Sequence, residues 1–332
     1  MGYVDTYGCR TMKIFQNGDT LKEAHRHAVL AIGNFDGVHL GHRAVLKQTE
    51  EIAKKSGKPF GAIVFEPHPR TFFMPDTPVF RLTPLEVKAQ LMDKMGLDIL
   101  SVLAFDRDLA AMSALSFVED ILVGRYGISH IVCGYDFRFG RKRSGNVALL
   151  RQMGEKFDFG VTAIDPVLMP ENAENNLPYS SSIIREKLRY GDVRTAAQLL
   201  GYNWYLSGPV VGGDKRGREI GYPTANIFID QGGWPKLGIY AVQVKIGKEA
   251  NVRPGVAYIG SRPTFHKSGV VLEVHLFDFS DDIYGETLSV ELIEFLRGDA
   301  AFETTEKLIT QMDEDSVKAR QILVALASIE KT

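Results

Sequence analysis

The sequence predicts an α/β domain built on a mostly parallel sheet, followed by a smaller antiparallel β-barrel that ends in a helix. Three observations carry that expectation. Short apolar runs alternate with segments of helical periodicity through the first half. After about residue 201 the runs become β-rich and are separated by Gly, Pro and Asp turns. At 332 residues the chain is long enough to bury two cores.

In chain order, AVLAIGNF (28–35), GAIVFE (61–66), DILSVLAF (98–105), HIVCGYDF (130–137) and VTAIDPV (161–167) read as strands. Residues 41–55, 84–95 and 115–126 read as helices between them; in the last, Leu115, Val118, Ile121 and Leu122 share a face. Strands joined through helices run parallel, and ligands of such sheets bind beyond the carboxyl ends of the strands. The stretch GNFDGVHLGH (33–42) lies at that edge of the first strand. SSSIIREKLRYGDVRTAAQLLG (180–201) reads as one linking helix. Val210, TANIFI (224–229), GIYAVQV (238–244), GVAYIG (255–260), VVLEVHLFDF (270–279) and TLSVELIEF (287–295) then read as barrel strands, and a terminal helix is expected from about Thr304 to Ile329. The expected domains span 13–186 and 187–332, with a disordered arm before Lys13.

Composition narrows the functional classes. Lys and Arg total 39 against 41 Asp and Glu, for a formal net charge of -2, so no overall basic field draws the chain to nucleic acid or anionic lipid. Small-molecule substrates are expected instead. Cys9 and Cys133 have neither metal-site spacing nor the density of a disulfide framework, which suits a reducing cytoplasm. No segment reads as a signal peptide or as the roughly 20-residue apolar run that crosses a bilayer. Self-association is left open.

GNFDGVHLGH has the composition of a phosphate-handling turn. Gly37 and Gly41 let the backbone approach a ligand, and the helix that follows offers amide groups and a dipole to an anion. His39 and His42 are three residues apart, close enough for both imidazoles to reach one phosphate. Read alone, the pair is equally a tight turn followed by surface histidines. Further stretches add polar groups near the same edge: His68 and Arg70 in FEPHPR (65–70), Asp136, Arg138 and Arg141 in GYDFRFGRKRSG (134–145), and Ser181, Ser182 and Arg185 in SSSIIR (180–185).

A second candidate site lies in the barrel half. GGDKRGREIGYPTANI (212–227) combines Gly212, Gly213, Gly217 and Gly221 with Lys215, Arg216 and Arg218, as a phosphate-cradling loop does. Thr224 and Asn226 share one face of an extended strand and offer oxygen ligands to Mg²⁺ bound with nucleotide phosphates. A hydroxyl to be phosphorylated needs a base or orienting group. Glu291, opposite the Leu288, Val290 and Leu292 stripe, and Glu273, beside His275 on one face, are rival candidates, and the pattern does not choose between them.

From about residue 28 to 325 the chain resembles the bacterial bifunctional riboflavin kinase/FMN adenylyltransferases, or FAD synthetases, with four motifs in the family's order. The resemblance implies a Rossmann-like nucleotidyltransferase domain followed by a riboflavin kinase-like barrel. It assigns Gly33, Phe35, Asp36, Gly37, His39, Gly41 and His42 to ATP binding and adenylyl transfer, with both histidines on the phosphates. It assigns Ser181, Ser182 and Arg185 to phosphates and leaving pyrophosphate, and His68, Pro69, Arg70 and Asp136 to the flavin and nucleotide site. In the kinase half it implies phosphate binding at Gly213, Lys215, Gly217 and Arg218, Mg²⁺ at Thr224 and Asn226, flavin contact at Arg297, and Glu291 as the catalytic acid. Two positions depart from the family's pattern: Tyr258, commonly Asn, and Ala301, usually Lys.

The implied substrates are riboflavin, FMN and ATP. An aminoacyl-tRNA synthetase reading lacks the KMSKS-like loop and a basic surface. A cytidylyltransferase with an unrelated barrel leaves PTAN unexplained. A flavin-binding regulator that has lost catalysis leaves the joint presence of His39, His42, Arg185, Thr224, Asn226 and Glu291 unexplained.

Overall fold

A computed structural model describes residues 12–16, 19, 23–169, 177–212, 221–229, 232–247, 249, 251–261 and 270–329. The chain forms two compact units, Met1–Ser180 and Ser181–Thr332. The expected arm before Lys13 falls almost wholly outside the described residues.

In the first unit, β1 (Lys13–Gln16), β2 (Val29–Ile32), β3 (Phe60–Glu66), β4 (Ile99–Ala104), β5 (His130–Gly134) and β6 (Gly160–Ile164) make one sheet. Its order is β1-β4-β3-β2-β5-β6 and every pairing is parallel. The order reverses between β2 and β5, so the crevice beyond their carboxyl ends is the topological switch point where such sheets bind ligands. The five strands expected here all form. β1 is new, and three of the expected strands end well before their apolar runs, because 33–35, 135–137 and 165–167 leave the sheet.

Helices cover the sheet: α1 (Leu40–Ser56), α2 (Pro69–Phe73), α3 (Leu85–Lys94), α4 (Arg107–Ala111), α5 (Ala114–Ser116) and α6 (Val147–Phe157). α5 runs directly into a π-helical segment, Phe117–Arg125, whose Phe117, Val118, Ile121 and Leu122 enter the core. That core also takes Leu30 and Ile32 from β2, Ile131 and Cys133 from β5, and Leu150 and Met153 from α6. Apolar burial at about 25 cal/mol per Å² is its main stabilisation.

The second unit opens with α7 (Ser181–Tyr190) and α8 (Val193–Leu200), where the sequence suggested one helix. The break is at Gly191, whose φ of +81° suits a glycine, and Asp192 then caps α8 by accepting from the Thr195 amide. β7 (Tyr205–Val211), β8 (Ala225–Ile229), β9 (Gly238–Ile246), β10 (Arg253–Ser261), β11 (Val270–Leu276) and β12 (Thr287–Arg297) close a barrel in the order β10-β11-β8-β7-β12-β9, all antiparallel. Leu206, Ile227, Val244, Ile259, Leu272, Val274 and Val290 point inward and are fully buried.

A second apolar layer lies outside the barrel. There α9 (Thr305–Ile329) places Ala319 and Leu323 against Ala241, Phe277, Ile293 and Leu296. Arg297 fixes this helix: its Nε and Nη2 donate to the Asp315 carboxylate at 2.8–3.0 Å, and the Asp315 side chain is only 7% exposed.

Candidate active sites

After β2 the chain turns sharply through residues 33–39 before α1 begins. Phe35, Gly37 and Val38 have φ of +47°, +89° and +40°. For the two non-glycine residues that conformation costs on the order of 1–3 kcal/mol each, and it persists only where neighbours hold it. The segment before α3 does so. Asp36, buried, accepts from the Leu82 amide (3.1 Å), the Thr83 amide (3.0 Å) and the Thr83 hydroxyl (3.3 Å), and the Gly37 amide donates to Thr83 Oγ1 (2.9 Å). Asp36, expected among the phosphate-binding residues, is thus engaged as the anchor of the turn.

His39 caps α1. Its Nδ1 accepts from the His42 amide at 3.3 Å, which leaves the proton of the neutral ring on Nε2 as a donor. The His42 ring stacks on it with centroids 3.6 Å apart, and Phe35 meets His42 edge-on at 5.2 Å. Gly41 sits at a close approach: a Cβ there would lie 3.2 Å from His39 Nδ1 and from Tyr179 Cβ, so a larger residue would press on both. The Gly33 amide donates to the Ile63 carbonyl and keeps the turn at the end of β2. The two histidines expected to work together are therefore adjacent at a helix N-terminus, where the dipole favours an anion.

Two further predicted groups share this carboxyl edge of the sheet. His68 caps α2, its Nδ1 accepting from the Arg70 amide at 3.1 Å; Pro69 occupies the first turn and Arg70 is exposed. Asp136 and Arg138 are exposed on the turn after β5, beside the buried Phe139. Sequence reading missed an aromatic cluster at this edge, in which Phe65, Phe72 and Phe73 each meet Phe105 at 5.4–6.0 Å and Phe73 is exposed. The TFF that follows PHPR was its visible signal. Ser181, Ser182 and Arg185 lie on α7, spaced to share its less buried side while Ile184 and Leu188 turn inward.

On the barrel, Asn226 of β8 pairs directly with Glu273 of β11, and Glu273 pairs on its other side with Tyr258 of β10. Directly paired residues point to one side of a sheet. Ile227, Leu272, Val274, Ala257 and Ile259 occupy the inward positions, so these three face outward. Thr224 precedes β8 at a cavity of about 540 Å³ whose walls include Val210, Leu276, Phe279 and Tyr284. His275 Nδ1 approaches the Pro223 carbonyl at 2.9 Å and supports this strand start.

Glu291 is placed elsewhere. It pairs with Tyr205 on β7, whereas Asn226 pairs with Val211 on that strand. Six residues separate the two points, about 20 Å at a rise of roughly 3.3 Å per residue. Glu291 Oε2 accepts from Asn203 Nδ2 at 3.2 Å and Oε1 lies 3.6 Å from Lys245 Nζ. Burial, with the Glu291 charge adding to it, pushes the Tyr205 hydroxyl up to about 12. Alternation put Glu291 on the outward face, as observed, and strand register places it well along the barrel from Thr224 and Asn226, which the sequence grouped with it.

Arg297, expected at the flavin, is committed to Asp315 and, through Nη1, to the Gly298 carbonyl at 3.0 Å. Tyr258 donates to Asp299 Oδ2 at 2.9 Å and so ties the following turn to β10. Gly213, Lys215, Gly217 and Arg218 lie outside the described residues. No group of three or more His, Cys, Asp or Glu side chains among the described residues forms a metal cage.

The FAD synthetase family model matches residues 21–175 and the riboflavin kinase model residues 200–323. The bifunctional riboflavin kinase/FMN adenylyltransferase of Escherichia coli K12 is 37% identical over 93% of this chain and 97% of its own length. Those of Listeria monocytogenes and Haemophilus influenzae are 37% and 38% identical, over 90% and 88% of this chain and 93% and 92% of theirs. A crystal structure from Streptococcus pneumoniae, described as a macrolide-efflux protein, superposes with a TM-score of 0.79 at 28% identity, covering 91% of this chain and 97% of that one. Among the described residues here, no helix is long and apolar enough to cross a membrane. The two units, their order and these relatives together make the chain a member of the bifunctional riboflavin kinase/FMN adenylyltransferase family, which phosphorylates riboflavin to FMN and adenylylates FMN to FAD.

Proposed function

We propose that FMN is adenylylated at the turn between β2 and α1, and that riboflavin is phosphorylated on the outward face of the barrel around Thr224, Asn226 and Glu273. The direct pairing of Asn226 with Glu273 carries the second assignment. The cap formed by His39 at the α1 N-terminus supports the first. Residues 13–186 would carry one reaction and 187–332 the other.

In the kinase step the terminal ribityl hydroxyl attacks the γ-phosphorus of ATP. Glu273 takes the hydroxyl proton as the new P–O bond forms and the bond to ADP breaks. The hydroxyl and amide oxygens of Thr224 and Asn226 would hold Mg²⁺, which binds through few protein ligands and shares the rest of its shell with phosphates and water. When bound, the ion neutralises charge on the transferring phosphoryl group. The apolar part of the cavity beside Thr224, formed by Val210, Leu276 and Phe279, would take a purine ring, with Ser280, Asp281 and Asp282 lining the remainder. Gly213, Lys215, Gly217 and Arg218 would hold the nucleotide's phosphates, and Arg297 would serve the flavin by fixing the turn at 298–300.

In the adenylyl step an FMN phosphate oxygen attacks the α-phosphorus of ATP and pyrophosphate departs. The Nε2 proton of His39, with His42 stacked behind it, donates to phosphate oxygens that gain charge in the transition state. Ser181, Ser182 and Arg185 would bind the leaving pyrophosphate; His68, Arg70 and Asp136 would hold the flavin nucleotide. We place both reactions in the cytoplasm.

Paired variants test the scheme. Glu273→Gln should stop FMN formation yet still convert supplied FMN to FAD, and His39→Ala should do the reverse. Loss of both activities from folded protein in either variant would defeat the separation of sites.

A further inference from the structure

Helix α3 carries a lysine where its packing calls for an apolar residue. Lys88 is 4% exposed and sits among the buried Val87, Ala89, Leu91 and Met92. Burying an ammonium group is costly unless it is paired and hydrogen-bonded, and an apolar side chain of similar volume packs a helix at less cost. Lys88 Nζ reaches out of the helix to donate to the Asn34 carbonyl at 2.8 Å. Burial lowers its pKa, while the carboxylates of Asp36 and Glu66 favour its charged form and Arg81 opposes it.

The acceptor is not a core group. Asn34 is the second residue of the turn after β2, directly before Phe35 with its φ of +47°. The Asp36 carboxylate and the Gly37 amide are held by Leu82 and Thr83. Three of four consecutive turn residues are therefore gripped from one short stretch, 82–88, that contributes no group of its own to the reaction scheme. Lys88 is the charged member of that grip.

We propose that Lys88 is a positioning residue for adenylyl transfer, holding the turn at Asn34 so that His39 and the first amides of α1 are presented to the phosphates of ATP. The proposal rests on the assignment of adenylyl transfer to that turn. A misplaced catalytic turn lowers the rate of the chemical step more than it weakens ground-state binding.

The test uses full-length protein. FAD formation from FMN and ATP is measured in Lys88→Met and Lys88→Arg, with riboflavin phosphorylation in the same preparations reporting the fold of the remainder. For Lys88→Met, kcat for FAD formation should fall at least about ten-fold, KM for ATP should stay within about three-fold, and riboflavin phosphorylation within about two-fold. Lys88→Arg, which keeps charge and donors, should recover part of the lost kcat.

A Lys88→Met protein with kcat within about two-fold of the parent would overturn the proposal. So would a fall confined to KM. Should Lys88→Met fail to fold, Thr83→Val removes the hydroxyl that links Gly37 to Asp36 at nearly constant volume; an unchanged kcat there would overturn the grip as a whole. His39→Ala separates the underlying assignment: if it retains FAD formation, the site itself is misplaced, whereas loss in His39→Ala with full activity in Lys88→Met rejects Lys88 alone.

Discussion

Asn226 and Glu273 stand directly opposite each other on β8 and β11, with Tyr258 next in the same row on β10. A side-chain amide and a carboxylate thus share one patch of the barrel's outward face. Glu273→Gln, which keeps shape and removes the proposed base, should lower riboflavin phosphorylation by at least about 10²-fold. Glu291→Ala should cost less than about ten-fold, because its carboxylate serves Asn203 and Lys245 instead. Initial rates of FMN formation check both; the opposite ranking would return the catalytic role to Glu291.

His39 is a buried helix cap whose second ring nitrogen we assign to the phosphates. His39→Ala should reduce FAD formation by about 10² to 10³-fold, the scale of losing one preorganised donor to developing charge. His39→Asn keeps a cap for the α1 amides and should retain more stability than the alanine variant, by about 1 kcal/mol. Thermal unfolding alongside the FMN assay distinguishes the two contributions.

The Arg297 and Asp315 pair clamps α9 to the barrel. Arg297→Met leaves a carboxylate unpaired in a side chain only 7% exposed, and the second unit should lose about 3 kcal/mol of stability. Denaturant unfolding of Arg297→Met and of the double variant Arg297→Met with Asp315→Leu checks the mechanism, since removing both charges should restore most of the loss. A double variant no better than the single one would count against the unpaired charge as the cause.

Cys133 is buried on β5, and burial pushes its thiol up to about 11. At pH 8 the group is protonated and shielded, so native protein should resist iodoacetamide at this position and react only after denaturation. Peptide mapping of the Cys133 fragment before and after denaturant reads the result. Rapid labelling in the native state would contradict the placement of β5.

Much of this organisation was legible in the chain. Alternating apolar runs marked β2 to β6, and the change of pattern after Gly201 marked the barrel. Gly191 broke what read as a single linking helix, because unbroken helical periodicity on both sides concealed one left-handed residue. Glu273 and Glu291 could not be separated by alternation, since both lie on outward faces; only strand register, a long-range property, tells them apart. Lys88 left a fainter mark, a cation in the apolar stripe of Leu85, Leu91 and Met92, but its partner 54 residues away is invisible without the fold. The GNFDGVHLGH turn was found from glycines and histidines, whereas the anchoring role of Asp36 needed Leu82 and Thr83 beside it.

The most direct measurement is a chromatographic time course of riboflavin, FMN and FAD with ATP and Mg²⁺, run on Glu273→Gln, on His39→Ala and on an equimolar mixture of the two. The Glu273→Gln protein alone should leave riboflavin unchanged, His39→Ala alone should stop at FMN, and the mixture should proceed to FAD. A Glu273→Gln protein that makes FMN at the parent rate, or a mixture that makes no FAD from folded components, would contradict the placement of the two reactions.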